Sequence, residues 1–209
     1  MIIAAFQKKG NDVVVVFEDG SYRNIDYRIV VDHGIWKGQE VDEKKIELLS
    51  YESSLLKAKD SAFRYLGLRI HSTSELRLKL QKKKHSKEII EKVIVWLAEQ
   101  KYLNDDEFVK QFIAEKIKKK RIGTAKLAAE LAKKGIKRES INENLLSIDY
   151  EKYFQNALEL GKKKLAQIKG KETDDRRIVA KLFAFMATKG YESDLIRKVI
   201  QNLNMQTED

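Results

Sequence analysis

Along the first 31 positions the apolar residues fall in short β-branched runs, and from Asp42 onward they recur every three or four residues. Val13-Val14-Val15-Val16-Phe17 reads as a strand, and Asp19-Gly20 between it and Tyr22 to Ile25 is a hairpin signal. Ile2 to Phe6 supplies a partner strand, with a turn near Lys9-Gly10-Asn11, and Ile29-Val30-Val31 allows a short fourth strand. Gly34 and Gly38 break the pattern. Beyond them Ile46 and Leu49, extended by Ser53 and Leu56, form the first helical stripe.

From there the chain nearly copies itself 51 residues along. Glu75-Leu76-Arg77-Leu78-Lys79-Leu80 falls on Lys126-Leu127-Ala128-Ala129-Glu130-Leu131, Lys82-Lys83-Lys84-His85 on Lys133-Lys134-Gly135-Ile136, Ile90 on Ile141 and Ile94 on Leu145. A third copy lies 55 residues further, with Leu182, Met186, Lys189-Gly190-Tyr191, Ile196 and Ile200 in the matching places. Self-similarity at this period means stacked supersecondary units, none of which can bury its apolar face alone. The fold class expected is mainly α: three tandem three-helix repeats in an elongated array behind a small N-terminal antiparallel β module.

Local signals divide the array. Residues 1–54 comprise the β module and a connecting helix, 55–103 the first repeat, 104–148 the second, and 149–209 the third with its tail. Leu55, Ala58, Ala62, Tyr65 and Leu66 mark the opening helix of the first repeat. Ser72-Thr73-Ser74-Glu75 is a capping box that starts its second helix, with Leu76 and Leu80 inward. A third helix begins near Ser86. Asn104, with Glu107 three residues on, caps the next repeat, and Gly135 supplies a left-handed stop. The loop from Lys169 to Asp175 accounts for the longer second offset. Nine helices in three sets of three are expected.

Composition narrows the function. The chain of 209 residues has no proline, which permits long helices, and no cysteine, which excludes disulfides and thiolate chemistry. No apolar run approaches the roughly 20 residues needed to span a bilayer, and the first residues lack the regions of a signal peptide, so a cytoplasmic protein is expected. The net charge of +10 is unevenly placed: residues 1–55 balance at −3, residues 56–148 at +11 and residues 149–209 at +2. A basic region of this strength attracts polyanions or a protein assembled on one.

Little looks catalytic. His33, His71 and His85 form no metal-binding pair, the ten glycines make no nucleotide loop, and Asp105-Asp106 and Asp174-Asp175 read as acids complementing helix starts. The basic residues, by contrast, recur with the repeat. Lys82-Lys83 corresponds to Lys133-Lys134, Lys87 to Arg138 and Arg69 to Lys120, with Lys79, Lys116, Lys118, Lys119 and Arg121 enriching the same region. Equivalent positions in stacked repeats share a face, so these residues are expected to form a stripe suited to a phosphate backbone or an acidic groove. The competing reading is a solvated surface with lysines beside helix C-termini, where they are favourable anyway. The aromatic residues Tyr65, Trp96, Tyr102, Phe108, Phe112, Tyr153 and Phe154 fall mostly on apolar stripes and read as core; Trp36, after the β module, is the exception.

Ala62-Phe63-Arg64-Tyr65-Leu66 with Arg69, then His71-Ser72 and Glu75 to Leu80, resembles the A-x-R-x-L … R … S-x-x-E-L-R-x-K-L opening of the RecX family of recombinase regulators. Trp96 to Phe108 is similar to the family's G-Y-L-x-D-x-x-F, and Gly123 through Leu131 with Lys134-Gly135-Ile136 to its G … I … E-L … K-G-I. The likeness spans roughly residues 56–205. Lys84 stands where a turn glycine is common, Lys101 replaces the glycine before Tyr102, and Lys126-Leu127 replaces Arg-Ile.

The resemblance implies a non-enzymatic, monomeric modulator of the RecA recombinase, without cofactor or metal. Such proteins associate with the RecA filament on single-stranded DNA, in its helical groove, and limit filament extension, ATP turnover and strand exchange. Two other readings stay open on the residues alone: direct electrostatic binding to single- or double-stranded DNA, and a helical scaffold whose lysines only solubilise it.

Overall fold

The computed structural model describes residues 1–120 and 122–204. The protein is mainly α, with ten helices among the described residues and one three-stranded antiparallel sheet at the N-terminus. It folds as two compact units that meet in the chain at Leu103 and Asn104.

The first unit opens with β1 (Ile3–Lys9), β2 (Asp12–Phe17) and β3 (Tyr22–Asp26), paired in that order. Both expected turns form: Gly10 and Gly20 take positive φ, and the Gly20 N–H donates to the Phe17 carbonyl at 3.0 Å. Val15, Phe17 and Ile25 face inward with Ile3. The fourth strand does not form. Ile29-Val30-Val31 lies instead in the helix α1 (Tyr27–Asp32), because the Asp26 carboxylate accepts from the Arg28 N–H and caps a helix start there. Ile29 and Val30 are both buried, an adjacent pair that one helix face can bury and a two-sided strand alternation cannot.

α2 (Glu43–Leu66) is a single helix of 24 residues, so the connecting helix and the opening helix of the first repeat are continuous. At 1.5 Å per residue it runs about 36 Å. Ile46 and Leu49 pack in the core of the sheet, whereas Ala58 and Ala62 pack against α3 (Thr73–Lys82) and α4 (Lys87–Glu99). Ser53, buried between the two cores, accepts from the Asp26 N–H at 2.8 Å. The capping box before α3 is formed in both directions, and Ser86 caps α4.

The second unit contains α5 (Asp105–Lys120), α6 (Thr124–Lys133), α7 (Arg138–Leu146), α8 (Tyr150–Lys169), α9 (Asp175–Thr188) and α10 (Ser193–Asn202). The Asn104 side chain accepts from the Asp106 and Glu107 N–H groups at 3.0 and 3.1 Å, as its sequence position suggested. One core gathers Phe108, Val109, Leu127, Leu131 and Ile141, and the other Tyr153, Leu182, Met186, Ile196 and Ile200. Ile117 and Ile148 pack against both. The repeat is thus real at the level of burial: Leu76, Leu127 and Leu182 are all fully buried, as are Leu80, Leu131 and Met186.

Candidate functional site

The second and third helices of each repeat are joined by one turn, made three times. After α3, the Lys84 N–H donates to the Gln81 carbonyl and His85 N–H to the Leu80 carbonyl. After α6, the Gly135 and Ile136 amides bond the Ala132 and Leu131 carbonyls, and after α9 Gly190 and Tyr191 bond those of Ala187 and Met186. The residue at the corner is left-handed each time, at φ 63° for Lys84, 74° for Gly135 and 85° for Gly190. This is the hydrogen-bond pattern that closes a helix and satisfies its orphan carbonyls.

Charge separates the three corners. The first carries Lys82, Lys83 and Lys84, with Lys87 opening α4; all four are exposed. The second carries Lys133 and Lys134, followed by Lys137 and by Arg138 opening α7, all exposed except the half-buried Lys134. Lys82, Lys83, Lys87, Lys133 and Arg138 make no ion pair among the described residues. The third corner has Lys189 but then Glu192 and Asp194. It is also closed off: the Gly123 N–H donates to the Lys189 carbonyl at 2.9 Å, the Ala125 N–H to the Gly190 carbonyl at 3.2 Å, and Glu192 accepts from the Thr124 hydroxyl at 2.9 Å. Two corners are therefore open and basic, and the third is a joint within the second unit.

The other sequence candidates are engaged locally. Arg69 forms a forked ion pair with Glu75, at 3.0 and 3.2 Å, and also donates to the Ile70 carbonyl. Lys79 lies over the Tyr65 ring at 4.4 Å, and Lys134 over Phe112 at 5.4 Å. Lys116 is ion-paired with Glu130 and sits against Phe112. Lys119 pairs with Glu115 within α5 at 3.2 Å, an exposed contact of little energetic weight. Lys120 ends α5, and Arg121 lies outside the described residues.

Several of the aromatic residues read as core are not fully enclosed, Tyr65, Phe112 and Phe154 being half-buried. Tyr102 is 56% exposed and Trp96 only half-buried, and Lys59, which the sequence reading passed over, places its Nζ 3.7 Å from the centre of the Trp96 ring. The signal available in sequence was a lysine four residues before Phe63 on one helix face, which says nothing of the ring on α4 that it meets. Phe108 and Tyr153 are buried as expected, and Trp36 is exposed.

A chain of three tandem three-helix modules behind a small sheet, with two basic helix–turn–helix corners and a sealed third, is the class of protein these features define. Residues 58–97, 104–145 and 151–200 match the first, second and third three-helix domains of RecX, respectively. The regulatory protein RecX of Clostridium beijerinckii is 31% identical over 198 residues, covering 94% of this chain and 92% of that protein. That of Halalkalibacterium halodurans is 29% identical over 209 residues, 97% of this chain and 77% of its own length. The chain belongs to the RecX family of regulatory proteins. Its fold is also that of a crystal structure of regulatory protein RecX, with a TM-score of 0.73 at 21% identity over 96% of this chain and 98% of the other. RecX from Lactobacillus salivarius superimposes with a TM-score of 0.67 at 20% identity, over 73% of this chain and 98% of that one.

Proposed function

We propose that this protein regulates the RecA recombinase by binding the filament that RecA forms on single-stranded DNA, and that it limits ATP turnover and strand exchange without catalysing a reaction itself. The observation that carries this reading is the pair of open basic corners. They repeat one backbone geometry in two modules, present Lys82, Lys83, Lys87, Lys133 and Arg138, which make no ion pair among the described residues, and lie in the region that carries the +11 balance. Positive side chains at exposed helix ends steer a polyanion or an acidic protein groove, raising the encounter rate more than the final affinity. Membership of a family whose relatives are named regulatory proteins points the same way.

The decisive measurement is the ATPase rate of RecA assembled on single-stranded DNA, with and without the full chain. The expected result is a dose-dependent fall in rate at protein levels well below those of RecA. An unchanged rate together with binding to naked DNA would replace this reading with direct electrostatic DNA binding, whose affinity would fall with salt at a log–log slope of about −0.7 per phosphate on a single strand.

A further inference from the structure

α2 and α4 run in the same direction side by side, and their shared outer seam is a ladder of rings and cations. Lys92 lies 4.6 Å from the centre of the Tyr51 ring, Lys59 lies over Trp96, and Phe63 meets Tyr102 edge-on at 5.1 Å. From Tyr51 to Phe63 the ladder covers about 18 Å of helix. Phe63 stands at 86° to both Trp96 and Tyr102, while those two rings are tilted by only 30° from each other at 6.2 Å. Phe63 is thus edge-on to both rings, and Tyr102 is more than half exposed. Val95 and Phe63 are exposed beside them.

Charge selects the occupant. Lys59, Arg64 and Lys101 make no ion pair among the described residues, whereas the acids of α2 on either side are engaged elsewhere, Glu52 by His33 and Asp60 by Arg28. On α4, Glu88 is paired with Lys92 and Glu91 with Arg77, and Glu99 makes no ion pair among the described residues. Lys101 also holds the left-handed position after α4, at φ 60°, which glycine takes without steric cost. A lysine there puts a cation next to Tyr102 at the expense of backbone comfort.

We propose that this seam is a binding site for unpaired nucleobases of a single strand, with the exposed Tyr102 offering the stacking surface beside Trp96 and with Lys59 and Lys101 taking the flanking phosphates. Stacking on an aromatic side chain is tolerant of base identity and persists when salt screens the phosphate contacts. The site lies wholly within the first unit and needs no recombinase, so it stands or falls separately from the filament reading above.

The test uses the full chain carrying Trp36→Phe, in which Trp96 is the sole tryptophan. Two probes of about 20 nucleotides are compared at about 0.5 M salt, oligo(dT) and an abasic strand of equal length and charge. The expected result is quenching of Trp96 by oligo(dT) alone, with affinity about tenfold or more above that for the abasic strand. Tyr102→Leu should remove about tenfold of the oligo(dT) affinity and leave the abasic strand unchanged, while Tyr102→Phe retains it. Should Tyr102→Leu unfold, Phe63→Leu reports the same loss. Equal affinity for the two strands, or oligo(dT) binding without quenching, would overturn the proposal. So would competition by polyglutamate as effective as that by oligo(dT), which would make the seam a dock for an acidic protein.

Discussion

Gly123 rests against the carbonyl of Gly190: a Cβ placed on Gly123 would stand 2.0 Å from that oxygen and 2.2 Å from the Tyr191 nitrogen. The contact joins residues 67 positions apart and closes the third corner onto the start of α6. Gly123→Ala must therefore push two backbones apart, and a loss of about 3 kcal/mol or more is expected in urea unfolding. Gly170 is the matched control. It ends α8 at φ −71°, with nothing closer than 3.8 Å to an added Cβ, so Gly170→Ala should be neutral or stabilising by about 0.4–1 kcal/mol. Equal effects at both sites would show that the joint is not tight.

His71 is buried, with Nδ1 2.9 Å from the Arg69 carbonyl and Nε2 without a hydrogen-bond partner among the described residues. Nδ1 must carry the proton to donate to a carbonyl, so charging the ring would bury a second, unpaired N–H at Nε2. Burial accordingly holds its pKa below the ordinary 6.5, and the same cause lowers His85. The unfolded chain then binds more protons than the native one, so stability should be full above about pH 6.5 and decline as pH falls below it. His71→Asn keeps a donor for Arg69 but cannot titrate. It should be about 1 kcal/mol less stable at neutral pH, with the gap to the parent narrowing toward pH 5. A constant gap would mean that His71 does not set the slope.

Charge reversal separates the open corners from the rest of the surface. Lys82, Lys83, Lys133 and Arg138 are exposed and make no ion pair among the described residues, so changing all four to Glu should alter stability by within about 0.5 kcal/mol each. The variant should stay helical by circular dichroism and lose inhibition of the RecA ATPase first as salt is raised, because rim charges act chiefly on encounter. Lys162, Lys163, Lys169 and Lys171, all exposed in the third repeat, provide the control. Equal inhibition by the two variants would reduce the corners to solvated surface.

Lys84 occupies at φ 63° the corner that glycine fills in the other two repeats. The left-handed conformation costs an L residue roughly 1–2 kcal/mol, and glycine gives back about half of that in chain entropy. Lys84→Gly should thus raise stability by about 0.5–1 kcal/mol, read as an increase in melting temperature, and weaken recombinase inhibition through the lost charge. A lower melting temperature would show that the lysine contributes contacts beyond its charge.

Much of this fold could be read without coordinates, because its signals are short in range. The hairpin at Asp19-Gly20, the Ser72 and Asn104 caps and the left-handed Gly135 each depend on residues within a single turn. The repeat exposed the buried Leu76, Leu127 and Leu182, since only a shared inward position explains one spacing kept three times. Family membership followed from motifs of the same local kind. Where longer contacts compete, the pattern was silent or misleading. Ile29-Val30-Val31 suits a strand or a helix equally, and the Asp26 cap with its tie to Ser53 decides for the helix.

The candidate surface divides along the same line. Lysines at helix ends could be counted in the chain, and their recurrence marked two corners as chemically alike, because a repeat of 51 residues transmits position directly. Which cations stay free depended on partners far along the chain: Glu130 takes Lys116, and the Gly123 backbone seals the corner at Gly190. A helical apolar stripe likewise names the rings that face a neighbour, whereas the width of that neighbour sets how much of each ring is covered. Tyr102 follows the end of α4, meets Phe63 only edge-on and is more than half exposed, and so a residue chosen for the core stands at the surface.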